Sequence, residues 1–154
     1  GQKAACVGRL HLANALLEQG YVYSRQEAFT RYIGDEGPCY VSNFNFTPEE
    51  AVAIIRRAKG VPVLAHPYII GTDRDIERFI AAGICGLEVY HSDHRFLMVE
   101  RFKRLAEKHG LLMTGGSDCH GAGKPRVLLG TIKLPLSYVE QLRAKSREIA
   151  ALGS

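Results

Sequence analysis

A chain of 154 residues, 46% hydrophobic and 23% charged, has the size and balance of an ordinary globular protein with a real core. Its formal net charge of +4 suits an anionic substrate but is too mild for a nucleic-acid footprint. There is no apolar run near the roughly 18 residues a membrane span needs, no signal segment, and no CxxC pair among the 4 cysteines, which argues against a membrane protein, a zinc ribbon or a disulfide-stapled secreted domain and for a reducing cytoplasm.

The first segment reads as helical. Residues 11–19 carry apolar side chains at helical spacing and stop at Gly20. Ser24-Arg25-Gln26-Glu27 has the pattern of a capping box, followed by the apolar stripe Ala28, Phe29, Tyr32 and Ile33 and closed by Gly34. Residues 35–46 read as a loop with a short extended piece at 40–41.

From residue 47 helices and strands alternate. Thr47-Pro48-Glu49-Glu50 combines an N-cap, a proline at the first helical position and a glutamate three residues after the cap, so the spacing predicts a helix over 49–59, ended by Gly60. The short apolar run 61–65 predicts a strand covered on both faces. Asp73 or Asp75 starts the next helix, which runs to about residue 82. A strand over 86–90, a long amphipathic helix over 95–109 and a strand over 111–114 follow. Ser137, after Pro135, is expected to cap a terminal helix through residue 150. This alternation implies parallel strands with right-handed crossovers, in a doubly wound open sheet or in consecutive units of a β/α barrel. Three strands are too few to close a barrel of about eight, so a barrel reading makes the chain its last part. A first residue of Gly1 also reads as a piece of something longer.

Chemistry in parallel α/β folds gathers at the C-terminal ends of the strands. Here the first strand ends in Ala65-His66-Pro67, the second in Glu88-Val89-Tyr90-His91-Ser92-Asp93-His94, and the third in Ser117-Asp118-Cys119-His120. Four of the 6 histidines fall at these ends, whereas His109 lies on a helix. Gly115 and Gly116 let the chain turn, and an extended Asp118-Cys119-His120 would place its carboxylate and imidazole on one side, with Cys119 packing on the other. Nitrogen and oxygen donors without thiolate suit zinc, manganese or iron. Such a metal lowers the pKa of a bound water towards ~7 and neutralises phosphate oxygens. Glu88 alternates with Tyr90 and reads as facing a helix layer or pairing with a lysine or arginine.

These motifs resemble the PHP (polymerase and histidinol phosphatase) phosphoesterases of the TrpH/YciV type. The matching stretches are Gly8-Arg9-Leu10-His11-Leu12-Ala13, residues 60–67 ending in Ala65-His66-Pro67, Gly86-Leu87-Glu88-Val89-Tyr90-His91, and Thr114-Gly115-Gly116-Ser117-Asp118-Cys119-His120-Gly121 followed by Lys124-Pro125. The resemblance implies a partial (β/α)7 barrel, its last βα units at 47–154, preceded at 1–46 by the later part of a small inserted helical domain. It implies His66, Asp118 and His120 as metal ligands, with His91, His94, Arg9, His11 and Lys124 as weaker candidates for contact with substrate phosphate. The cofactors implied are divalent ions (manganese, zinc or iron), and the partner is a small phosphorylated substrate of nucleotide type, such as a 3′,5′-bisphosphate or a short RNA end. The family's HxH strand and its later His and Glu ligands do not occur in this chain, so the resemblance implies an incomplete site that is inactive alone. A non-catalytic binding module with a partial metal site is the alternative. An amidohydrolase-like metal hydrolase also uses strand-end His and Asp, but it wants a strand-end lysine that these motifs lack. The open edge of a partial sheet invites self-association.

Overall fold

The computed structural model describes residues 7–41, 46–121 and 128–152. The chain forms two compact units, Gly1–Asn45 and Phe46–Ser154.

In the first unit, α1 (Arg9–Glu18) is followed by α2 (Arg25–Ala28), which loosens into a π-helical turn over Phe29–Ile33. Ser24 Oγ accepts the Glu27 backbone N–H, as an N-cap should, but the Glu27 carboxylate takes the N–H of Tyr23 instead of closing a box on Ser24. Ala13, Val22, Ala28 and Ile33 form a small buried core, with Leu16, Leu17, Phe29 and Tyr32 packed around it. Residues 40 and 41 are not in a strand.

In the second unit, α3 (Pro48–Arg57), β1 (Val63–Leu64), α4 (Asp73–Ala81), β2 (Gly86–His91), α5 (Phe96–His109), β3 (Leu112–Gly116) and α6 (Leu136–Leu152) follow in order. The three strands form a parallel sheet in the order β1-β2-β3. This is the mixed α/β arrangement of a partial PHP-type fold, with strands joined by helices as the alternation requires.

The Thr47–Glu50 capping box forms as read, each side chain taking the other residue's backbone N–H. The helix α4 starts at Asp73, one of the two aspartates expected, with Thr72 as its cap and Asp75 completing the box. Two other boundaries differ from the sequence expectation. Ser137 lies inside α6 and does not precede it. The first strand shrinks to Val63–Leu64, because Pro62 has no N–H to give and His66 leaves extended geometry at φ 48.

The core of the unit is the inner face of the sheet against α4 and α5: Ile76, Leu87, Val89, Phe102, Leu105 and Ala106. The glycine pair sits within β3 and is not a turn beyond it. A Cβ on Gly115 would lie 2.3 Å from the Tyr90 carbonyl oxygen, so the close approach of β3 to β2 needs a glycine there. The pairing also slips between Glu88 and Tyr90, where β2 carries one residue more than β3. Among the described residues no helix is long and apolar enough to cross a membrane.

Candidate metal centre

Two of the sequence-read ligands reach their places through backbone that non-glycine residues rarely adopt. His66 (φ 48) ends β1 and opens a short 3-10 turn over Pro67–Ile69. Asp118 (φ 47) follows β3. Left-handed conformations of this kind cost about 1–2 kcal/mol each and collect at functional sites. The expectation of an extended Asp118-Cys119-His120 is therefore corrected: the two side chains meet across a left-handed turn. The His120 ring is tied down, with Nδ1 2.8 Å from the Asp118 carbonyl oxygen and 3.7 Å from its Oδ1.

His66 Nε2 stands at the meeting point. It lies 3.8 Å from Asp118 Oδ1 and 4.0 Å from Glu88 Oε2. Glu88 also accepts the His66 backbone N–H at 2.9 Å, which locks the turn after β1 onto β2. Ser92 Oγ donates to the Ser117 carbonyl at 3.0 Å and so ties the loop after β2 to the segment that carries Asp118. Donors each about 2.1 Å from one ion lie roughly 3.0–4.2 Å from one another, so these spacings fit a divalent cation. Two carboxylates beside imidazoles supply the charge and the hard-to-borderline donors that zinc, manganese or iron accept.

His66, Glu88 and His91 each place a possible ligand atom within 4.8 Å of the other two. Glu88 is the residue that sequence reasoning set aside. Strict alternation puts positions three apart, such as 88 and 91, on opposite faces of a strand. The slip in register between Glu88 and Tyr90 shifts that parity by one, and the two side chains meet. A glutamate inside an otherwise apolar strand was the available signal. The bulge that aims it was not.

His91 and His94 are both buried, at 2% and 8% exposure, and do not lie on a solvated loop. His94 Nδ1 sits 2.8 Å from the Val89 carbonyl, and its ring packs against Tyr68 and Phe102. Burial holds its pKa below the usual histidine value, so it is neutral near pH 7. Tyr68 completes the group, its hydroxyl donating to Asp93 at 3.3 Å.

The remaining candidates are placed differently. Arg9 and His11 belong to the first unit, where Arg9 pairs with Asp35 at 2.5 Å and His11 Nδ1 accepts the Gly8 N–H at 3.0 Å. Arg9 and Asp35 also line a pocket of about 340 Å³ within that unit, together with Tyr40 and Cys39. Lys124 and Pro125 lie outside the described residues. The Cys119 thiol accepts the Gly121 N–H, at 3.4 Å.

No family model matches the chain. It is 36% identical over 123 residues, 77% of its length, to the 3′,5′-nucleoside bisphosphate phosphatase of Chromobacterium violaceum, of which it covers 43%. It is 28% identical over 122 residues, 79% of its length, to the phosphoribosyl 1,2-cyclic phosphate 1,2-diphosphodiesterase of Eggerthella lenta, of which it covers 47%. Among solved structures it matches a protein from Bifidobacterium adolescentis assigned as a metal-dependent phosphoesterase, with a TM-score of 0.77 and 33% identity over 90% of this chain and 50% of that one. It also matches an amidohydrolase from Chromobacterium violaceum with bound sulfate and no metal, with a TM-score of 0.68 and 31% identity over 90% of this chain and 51% of that one. The chain thus spans about half the length of the relatives it matches.

Proposed function

Because this chain is related to the PHP-type metal-dependent phosphoesterases in sequence and in fold, we propose that it supplies the strand-end half of a phosphoester hydrolase centre. His66, Asp118 and His120 hold a divalent metal there, joined by Glu88. The observation that carries this reading is the convergence of His66 on two carboxylates from two other strands, 3.8 and 4.0 Å away. When bound, a metal in such a site activates water as a nucleophile and offsets the charge of a phosphoryl group. The chain's own residues do the positioning. Glu88 fixes the His66 turn through its backbone N–H, and Ser92 fixes the Asp118 segment through the Ser117 carbonyl.

The substrate is a small phosphorylated compound of nucleotide type, a reading supported by the names of the two curated relatives. Residues 1–46 represent part of an inserted helical domain. Turnover requires residues beyond these 154, since the relatives are about twice as long. The free thiols of Cys39, Cys85 and Cys119 support a cytoplasmic setting. The edges of the three-stranded sheet support self-association, which a monomer in sedimentation would refute.

Elemental analysis tests the central reading. The purified chain, loaded with manganese or zinc and desalted, is expected to retain metal that His66→Ala and Asp118→Ala do not. Equal retention in all three would sink it.

A further inference from the structure

Of the histidines at the strand ends, His91 has its ring chemistry fixed by the backbone. Its Nδ1 accepts the Asp93 N–H at 3.1 Å, within the tight turn that follows β2. A nitrogen that accepts an N–H has its lone pair committed, so the neutral ring carries its proton on Nε2. That Nε2 is buried and has no hydrogen-bond partner. Neither ring nitrogen is then left with a lone pair for a cation, although the ring stands within the His66–Glu88 cluster.

His94 is the opposite case. A carbonyl oxygen only accepts, so the 2.8 Å contact with Val89 puts the proton of His94 on Nδ1 and leaves the lone pair on a buried, unpartnered Nε2. Two neighbouring rings, 5.2 Å apart, are thus held in opposite tautomers by backbone groups of the same strand and turn.

We propose that His91 serves this site as a fixed Nε2–H donor to a phosphoryl oxygen and is not a metal ligand. The proposal rests on the phosphoesterase reading of the same site and deepens it. A buried donor without a partner is costly, and the cost is removed only when an acceptor arrives. An oxygen entering between His66 and Glu88 meets a carboxylate, so an anionic acceptor comes only with the cation that draws it in. A phosphoryl group brings oxygens to both at once. The His66 ring lies edge-on to His91, at 5.2 Å and 77° between planes, so the two rings stand side by side at the cluster.

Long-range proton–nitrogen correlation spectra of the uniformly 15N-labelled chain test the proposal at its root. The expected result is an Nε2-protonated His91 and an Nδ1-protonated His94, with His91 assigned through His91→Gln. An Nδ1-protonated His91 overturns it. Zinc affinity by chelator competition and binding of inorganic phosphate to the zinc-loaded chain form the second arm. His91→Gln is expected to keep zinc affinity within about twofold of wild type, while His66→Ala loses it. His91→Phe is expected to bind phosphate about tenfold more weakly, with Gln, which keeps an N–H, restoring most of the difference. Loss of zinc in His91→Gln as severe as in His66→Ala would make the ring a ligand and end the proposal. A wild-type chain that takes up no zinc would overturn the phosphoesterase reading instead, and the tautomer spectrum would still decide whether His91 is a donor.

Discussion

The helical unit and the βα unit both present chemically competent side chains, yet they use them differently. In the helical unit Arg9 is paired with Asp35, and His11 is spent on the Gly8 N–H at the start of α1. Each has a structural occupation within its own unit. In the βα unit His66 follows β1, Glu88 lies within β2 and Asp118 follows β3, yet the three face one another, and two of them sit on strained backbone. Local structure explains a charged residue at a helix start. It does not explain an imidazole held at φ 48 beside two carboxylates, and strain of this kind persists only where the surroundings over-determine it.

The sharpest way to break this contrast is His66→Ala. Metal affinity measured by chelator competition is expected to fall more than about 100-fold, beyond the range typical of outer-shell partners. Arg9→Ala, by contrast, is expected to leave metal affinity unchanged, since its partner Asp35 lies in the helical unit.

Gly115→Val tests the scaffold under the site, because its Cβ would meet the Tyr90 carbonyl at 2.3 Å. Urea unfolding is expected to show a loss of about 2–3 kcal/mol. A value within about 0.5 kcal/mol of wild type would mean that the close approach of β3 to β2 is not as described.

The pH profile adds a test of the His94 environment. Burial, the largest cause, lowers the pKa of His94 from 6.5, so the unfolded chain takes up this proton before the folded one. Its contribution to stability is complete above about pH 6.5 and is lost as pH falls from there through the lower folded value. Comparing metal-free wild type with His94→Phe between pH 5 and 8 is expected to show a shallower acid slope in the variant. Parallel slopes would count against the buried neutral ring.

The smallest effects belong to the helical unit and to the strained turn. His11→Ala is expected to cost about 0.5–1 kcal/mol through the lost cap, with metal binding untouched. Asp118→Gly is expected to move the stability of the metal-free chain by only about 0.5 kcal/mol, because relief of the left-handed strain is offset by the larger chain entropy of glycine. The same variant loses metal. A marked destabilisation without metal would show that the carboxylate serves the fold more than the site.

Much of this arrangement was legible in the sequence. Thr47 and Glu50 fixed the start of α3 because a capping box is a contact between neighbours three residues apart. His66 and Asp118 were legible as strand-end donors because parallel strands gather their C-terminal ends on one rim. The start of α4 at Asp73 was legible too, although the cap that fixes it, Thr72, was not named. Glu88 was overlooked because alternation, the only rule available for a strand, fails where the strand carries a bulge. The geometry at Asp118 was misread for a related reason: glycine was the expected bearer of left-handed backbone, and here an aspartate bears it.

By itself the sequence determined the order of helices and strands, the parallel sheet, and two histidine-bearing strand ends followed by an Asp-x-His, since these depend on periodicity and on contacts between near neighbours. Only the tertiary structure decided which donors meet. A bulge in β2 and left-handed turns at His66 and Asp118 set the direction of each side chain, and such irregularities are stabilised by partners on other strands, not by the residues that carry them. The tautomers of His91 and His94 fall on the same side of that line, because each is set by a backbone group whose position the folded turn provides.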